Sequence, residues 1–561
     1  MAGIVPCMLL AFGPRSIDYD FGPGHPLTPR RFGPSIDLLR SLGAEPGLGP
    51  EPASDEELRW CHSSEYLEVV RRFSADPYGF PEAGIGEGGD CPPFADMHEA
   101  SAAVAGGSIR AVEAILRGEV EHAFHPGGGL HHAMRGRASG FCIYNDPALA
   151  IARARRDGLR VFYIDLDVHH GDGVQALFWD DPGVLTFSIH ETGRALFPGT
   201  GDASEIGEGA AAGTSVNVPL WPGVGEAAWL HILRDMLPML AASFGPGLIV
   251  SQHGADSHAW DPLAQLNVTT TAHGEAARLV DAIAHRHARG RWLATGGGGY
   301  DAYRVVPRTW ALTWLAGAHR EVPASTPEAW RDRWANEAAR YGQAPLPEMF
   351  GDAPNAGLEF GSAQEAAEER SIEVAALARR VLLPKLLRAS SDRGWWEPGT
   401  PLEAQPGAPD HSVGSPVILA RIDVDSWSRL TLAPWVIPPA APSDGHAIVL
   451  AALRAGAQVA VAAVGPRAVG IAVLLDGELL AIGVAPDHRR RGLGRALMAA
   501  VAPELVSADV TVAERDPFDP LPVSERRLIA RSLLEGAGLV VEPADPHIRS
   551  IDPGAIVGRR R

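Results

Sequence analysis

Nine residues, Asp165 to Gly173 (DLDVHHGDG), place three carboxylates and two imidazoles directly behind the apolar run RVFYI. Asp167 and His169, two positions apart, can turn toward one point. A carboxylate with an imidazole is a zinc-type donor pair, and catalytic zinc takes three protein ligands while a fourth position stays open to water. The third donor has to come from another strand end. GADSHAWDP (254–262), behind the run LIVSQ, offers Asp256 and Asp261, and Pro262, which turns the loop back, favours Asp261. Three further clusters fall on neighbouring strand ends. HPGGGLHHA (125–133) sets His131 and His132 side by side at a glycine-rich turn, where backbone and substrate can approach closely. FPGTGD (197–202) is a small-residue loop opened by an aromatic, and TGGGGY (295–300) delivers Tyr300 after four glycines.

The elements that must hold these loops are readable from hydrophobic periodicity. Short apolar, β-branched runs at 160–166, 184–189, 247–252 and 291–295 predict buried parallel strands. Helix-compatible segments lie between them, one opened by Asn145-Asp146-Pro147, where Asn or Asp caps and Pro occupies the first turn. The fold class is therefore α/β, and in an open parallel sheet ligands bind outside the carboxyl ends of the strands. The chain of 561 residues exceeds one core, since single cores stop growing near ~250–300 residues. We expect a first domain over 1–398, ending in a charged helical extension over 318–398, a Pro- and Gly-rich linker over 399–416, and a second domain over 417–561. There GIAVLLDGELLAIGVAP predicts two strands joined at Asp476-Gly477, a two-residue hairpin signal.

Composition narrows the partners. A net charge of -19 without a basic stripe argues against nucleic acid, which is bound through Lys and Arg, and suits a cationic substrate. The four cysteines, Cys7, Cys61, Cys91 and Cys142, show no paired spacing and suit free thiols in a reducing compartment. The start MAGIVPCMLLAFGPR lacks a basic region before its short apolar run, and no apolar stretch reaches the ~18 residues of a membrane helix. A cytoplasmic protein is expected, with oligomeric state left open.

HPGGGLHHA, GFCIYND, DLDVHHGDG, FPGTGD, GADSHAWDP and GGGGY occur in the order and spacing of the zinc-dependent histone deacetylase family, and the chain resembles that family's bacterial acetoin-utilisation type from about residue 22 to 318. The resemblance implies an arginase/deacetylase-type parallel sheet flanked by helices. Related ureohydrolases use D-x-H-x-D to hold two manganese ions, whereas the fifth position here is Gly171, which favours a single-metal deacetylase. By resemblance, Zn2+ sits on Asp167, His169 and Asp261. His132 is the general base and then acid, His131 acts through its charge, and Asp165 and Asp172 orient His131 and His132 respectively. Tyr300 donates to the substrate oxygen. Gly140, Phe141 and Phe197 wall the acyl-lysine channel, Asp90 lies at its rim and Arg31 near the acetate exit. Asp165, Asp167 and Ser188 match part of a structural monovalent-cation site, usually K+. In GFCIYND, Tyr144 stands one place later than the family's usual tyrosine. The implied substrate is an acetylated protein lysine, the alternative an acetylpolyamine or other small acetylated amine.

In the second domain, VAPDHRRRGLGRAL (484–497) contains Arg489-x-x-Gly492-x-Gly494 between a strand and a helix. Backbone amides at such a helix start cradle pyrophosphate. With the hairpin before it and EGAGL after, this region resembles the GNAT superfamily over 415–545, a smaller α+β fold. That likeness implies acetyl-CoA binding by Val484, Arg489, Arg490, Arg491, Gly492, Leu493, Gly494 and Arg495. Many members use a tyrosine as general acid, and this chain has none after Tyr341. Glu478, Glu514 and Ser524 are conceivable substitutes, each also readable as a solvated or capping residue.

Overall fold

The computed structural model describes residues 8–352, 361–393, 417–419, 421–432, 442–464, 467–485, 493–511, 523–537, 539–542 and 555–559. By its internal contacts the chain divides into two compact units, Met1–Leu233 with Pro246–Ser371, and Arg234–Gly245 with Ile372–Arg561.

In the first unit, the apolar runs become strands of one sheet. These are β1 (Met8–Ala11), β2 (Pro46–Leu48), β3 (His122–His125), β4 (Val161–Asp165), β5 (Val184–Glu191), β6 (Ser215–Leu220), β7 (Leu248–Gln252) and β8 (Trp292–Thr295), in the order β2-β1-β3-β8-β7-β4-β5-β6. Every adjacent pair is parallel. All residues of β3, β4, β5, β7 and β8 are buried, as expected of parallel strands covered on both faces by helices. The helix Asp146–Arg156 begins where its sequence predicts, with the Asn145 side chain accepting the Ala148 N–H at 3.0 Å. Register brings the strand ends level. His125 of β3 pairs with Thr295 of β8, Thr295 with Gln252 of β7, Gln252 with Asp165 of β4, and Asp165 with Ser188 of β5. The loops that leave this row are the motif-bearing segments.

The second unit is built on β9 (Val417–Leu419), β10 (Thr431–Leu432), β11 (Gln458–Val464), β12 (Arg467–Leu475), β13 (Glu478–Val484), β14 (Ser507–Thr511), β15 (Val540–Glu542) and β16 (Ala555–Arg559). They order as β15-β16-β14-β13-β12-β11-β9, with β10 alongside β12. β12 and β13 form the antiparallel hairpin, and Asp476 and Gly477 at its tip have φ of 49° and 84°, the left-handed pair a two-residue turn requires. The helical extension is divided differently from its expected place. Helix Glu328–Arg340 lies in the first unit, but from Ile372 the helix Ser362–Asp392 belongs to the second. Leu383 enters the second core, and Arg379, buried, pairs with Asp235 and with Glu478 at 3.0 Å. The expected linker, 399–416, lies outside the described residues. Cys61, Cys91 and Cys142 are buried free thiols, and Cys7 is outside the described residues. Among the described residues, no helix is long and apolar enough to cross a membrane.

Candidate active site

The level strand ends bring four loops together. His131 and His132 follow β3, Asp165 ends β4 with Asp167 to Asp172 after it, Asp256 and Asp261 follow β7, and Tyr300 follows β8. The histidine turn is clamped from the GFCIYND segment. Asp146 accepts the N–H groups of Gly129 and Leu130 at 3.0 and 2.8 Å, and the Asn145 amide donates to the carbonyls of His131 and Ala133, both at 3.0 Å. Each histidine is oriented by its own carboxylate. His131 Nδ1 donates to Asp165 Oδ2 at 2.7 Å, and His132 Nδ1 to Asp172 Oδ1 at 2.7 Å. Their Nε2 atoms face each other at 3.0 Å.

The two rings differ in charge. Burial opposes a charge on His131, but the Asp165 and Asp167 carboxylates outweigh it and push its pKa up to about 9. Burial and the neighbouring His131 hold His132 down to about 4, against the pull of Asp172. The carboxylates thus favour the charged form of His131, and burial beside it favours the neutral form of His132. His132 Nδ1–H goes to Asp172, so its Nε2 carries the lone pair, with His131 Nε2 3.0 Å away.

Beside this pair, donor atoms of Asp167, His169 and Asp256 all lie within 4.8 Å of one another. Asp167 Oδ1 is 3.0 Å from His169 Nδ1, and Asp256 Oδ2 is 3.1 Å from the same nitrogen. Asp167 Oδ2 accepts from Gln252 Nε2 at 2.6 Å and from the Gly298 N–H at 2.8 Å. Asp261 accepts the Tyr300 N–H through Oδ2 at 2.9 Å and the Leu263 N–H through Oδ1 at 3.0 Å. Burial, and then its neighbour Asp256, hold the Asp261 carboxyl well above the usual range. Burial, followed by Asp167, pushes Asp256 to about 6. Buried carboxylates crowded around one imidazole are the donor set a divalent cation neutralises, so the residues present fit a zinc ion.

Glycines make the crowding possible. A Cβ at Gly171 would collide with Asp165 Oδ2, and one at Gly298 with Asp256 Oδ2. A side chain at the fifth position of the D-x-H-x-G motif would therefore displace the Asp165 carboxylate.

The mouth is aromatic. Phe141 meets Tyr300 edge-on at 6.0 Å, and Phe197, 43% exposed, meets His132 edge-on at 5.1 Å. Gly140 and Phe141 both take left-handed backbone, φ 54° and 65°, a strained conformation for phenylalanine. Tyr19 holds this turn, its hydroxyl donating to the Phe141 carbonyl at 2.8 Å and accepting the Ile143 N–H at 3.1 Å. The Asp90 carboxylate accepts the Gly140 N–H at 2.7 Å. Arg31 is buried and donates to the Gly297 carbonyl at 2.6 Å. Ser188 Oγ lies 2.8 Å from His190 Nδ1, and Asp165 Oδ2 also accepts from the Tyr163 hydroxyl at 2.7 Å. Tyr144 is buried with its hydroxyl 2.9 Å from His98 Nδ1, away from the mouth aromatics. Asp256, Gln252 and Tyr19 are the site residues the sequence reading did not select. Asp256 shares a motif with Asp261, which the turn at Pro262 favours, while Gln252 and Tyr19 carry no motif.

In the second unit, Val484 ends β13, while buried Leu493, then Gly494 and Arg495, start the helix Leu493–Val501. Arg489, Arg490, Arg491 and Gly492 lie outside the described residues, as does Glu514, and nothing is described of the Ser524 side chain. Glu478 is buried in its pairing with Arg379, which makes it a structural ion-pair partner rather than a solvated group.

A histone deacetylase domain model matches residues 25–316, and an acetyltransferase (GNAT) family model matches residues 422–514. The acetoin utilization protein AcuC of Bacillus subtilis (strain 168) is 43% identical over 333 residues, 58% of this chain and 86% of that protein. The AcuC of Staphylococcus xylosus is 36% identical over 360 residues, 63% of this chain and 92% of that protein. Among solved structures, an HDAC homolog complexed with SAHA superposes with a TM-score of 0.56 at 28% identity, covering 65% of this chain and 99% of that one. The HDAC homolog from Aquifex aeolicus gives 0.55 at 27%, with the same coverage.

Proposed function

The chain belongs to the histone deacetylase family and is a deacetylase of that type, and from this premise we propose that it is a zinc-dependent hydrolase of acetyl-lysine side chains in proteins. The observation that carries the mechanism is the geometry of the facing histidines, their Nε2 atoms 3.0 Å apart and each Nδ1 held by its own carboxylate. Asp167, His169 and Asp261, with Asp256 beside them, would hold the zinc, which when bound would supply a Lewis acid that lowers the pKa of water and polarises a carbonyl. Neutral His132 takes the proton of the attacking water on Nε2 and later returns one to the leaving amine. Cationic His131 sits where negative charge develops on the substrate. Asp165 and Asp172 orient the two rings through their Nδ1–H groups. The Tyr300 hydroxyl donates to the same oxygen, and its backbone is placed by the Asp261 carboxylate. Phe141 and Phe197 pack the lysine methylenes and exclude water. Part of the same reading is a structural K+ beside Asp165, Asp167 and Ser188, and a cytoplasmic location suited to the buried free thiols.

The purified protein should release acetate from an acetyl-lysine peptide and be inhibited by a hydroxamate, whose two oxygens suit an open zinc position. The net charge of -19 also suits a small cationic substrate, so acetylpolyamines form the comparison arm. A kcat/KM at least tenfold higher for acetylpolyamine than for peptide would replace the protein substrate with the small amine. Acetate release insensitive to both hydroxamate and chelator would remove the zinc reading altogether.

For the second unit the reading is acetyl-CoA binding, by a domain that acts as a cofactor sensor or as an N-acetyltransferase. Calorimetry on the full chain should show acetyl-CoA binding, and Gly492→Glu, which puts a side chain and negative charge into the predicted pyrophosphate cradle, should abolish it. No heat at millimolar acetyl-CoA would leave the domain without this role. A sensor further requires that saturating cofactor change the deacetylation rate, since coupling needs a ligand that favours one state over another.

A further inference from the structure

At the other end of the parallel sheet, away from the catalytic loops, we propose a second metal site, formed by His122, Asp281, His285 and His319 and suited to zinc. His122 opens β3, so it stands at the amino end of the strand whose carboxyl end leads to His131 and His132. Asp281 and His285 lie one turn apart on the helix Thr270–His287, the i,i+4 spacing that puts two donors on one face. His319 follows the helix Val306–Gly317, at a left-handed φ of 52°. Three separate elements thus deliver four donors to one point.

The distances are those of a metal polyhedron. His122 Nε2 is 3.2 Å from His285 Nε2, and His285 Nε2 is 3.1 Å from His319 Nε2. Asp281 Oδ1 lies 3.2 Å from His319 Nε2 and 3.4 Å from both His122 Nε2 and His285 Nε2. Zinc bonds to nitrogen and oxygen of about 2.0–2.2 Å give a tetrahedron with edges of about 3.3–3.6 Å. Two of the five edges, both 3.4 Å, fall in that range, and the other three, 3.1–3.2 Å, are just shorter than it. Hydrogen bonding alone does not account for the arrangement. A ring nitrogen carries either one proton or one lone pair, yet His285 Nε2 has three partners within 3.4 Å, two of them imidazole nitrogens. A cation at the centre uses every lone pair at once.

The surroundings suit entry and rigidity. His285 and His319 side chains are 40% and 39% exposed, while that of His122 is fully buried and packs against Trp292 at 5.6 Å. A cleft of about 490 Å³, with Asp281 and His319 in its wall, opens beside the donors. Four protein donors and no open position describe a structural ion, one that ties the start of β3 to the last turn of one helix and the exit of another.

Metal content separates the two sites. After equilibration with zinc and removal of free metal, the full-length protein should hold two ions per chain by mass spectrometry. His285→Ala/His319→Ala should hold one and hydrolyse substrate within twofold of the unsubstituted rate. Asp167→Ala should also hold one, and the triple variant none. In the Asp167→Ala background, cobalt should give a tetrahedral absorption band and zinc should raise Tm, both lost in the triple variant. One ion in the unsubstituted protein, or two retained in His285→Ala/His319→Ala, overturns the site. Should the double variant misfold, cobalt added to Asp167→Ala decides, because a missing band there overturns the site equally.

Discussion

Asp167→Ala is expected to abolish deacetylation, to the level of buffer alone, and to remove one metal ion per chain. The carboxylate is the hub of the site. Oδ1 accepts the His169 N–H at 3.0 Å and faces its ring, and Oδ2 accepts from Gln252 and from the Gly298 amide. Truncation deletes a ligand and also leaves buried donors unpaired, at about 1–3 kcal/mol each. A fall in Tm would therefore accompany the loss and could be mistaken for its cause. Asp167→Asn separates the two, since it keeps the volume and can still accept from Gln252 or Gly298 while giving up the charge zinc requires. The expected outcome is a folded, inactive protein. An asparagine variant that hydrolyses acetyl-lysine peptide at the unsubstituted rate would end the metal assignment.

Tyr300→Phe should lower kcat by roughly 10²–10³-fold with KM little changed and metal content unaltered, the loss typical of one missing donor to a developing oxyanion. Its position does not depend on the hydroxyl. The backbone N–H is fixed by Asp261 at 2.9 Å, the carbonyl accepts from Gln343 at 3.3 Å, and the ring packs edge-on to Phe141. Phenylalanine keeps all three restraints, so a fall in kcat reads the hydroxyl itself. Equal turnover in steady-state kinetics would falsify the oxyanion role and leave His131 as the principal donor.

How much of this is written locally in the chain differs by feature. The strands at 161–165, 248–252 and 292–295 follow from apolar β-branched runs, and the helix after Asn145 from its cap, because short-range propensity and burial agree there. The catalytic loops are legible for the same reason, as each follows its strand without a gap. β1 and β2 are not. MLLA and PGL are too short to carry a period, and only pairing in the sheet makes them strands. The share of the helix from Ile372 onward in the second unit was equally hidden, since a charged helical pattern says nothing of where Arg379 finds Asp235 and Glu478. Asp256 lies within the donor cluster with Asp167 and His169 although the turn at Pro262 points to Asp261, because a loop's path, not its composition, decides which carboxylates turn inward. The four donors around His122 are scattered over almost 200 positions and meet only once the sheet and helices are assembled.

The absent side chain at Gly171 has a consequence for redesign. Ureohydrolase chemistry, as its D-x-H-x-D pattern implies, needs a carboxylate at this position to bridge a second metal. Gly171→Asp would set its new Cβ against Asp165 Oδ2, the atom that orients His131, so that carboxylate would have to shift. Any route from a one-ion to a two-ion catalyst on this scaffold must first displace Asp165, and so dismantle the proton machinery before the new metal arrives.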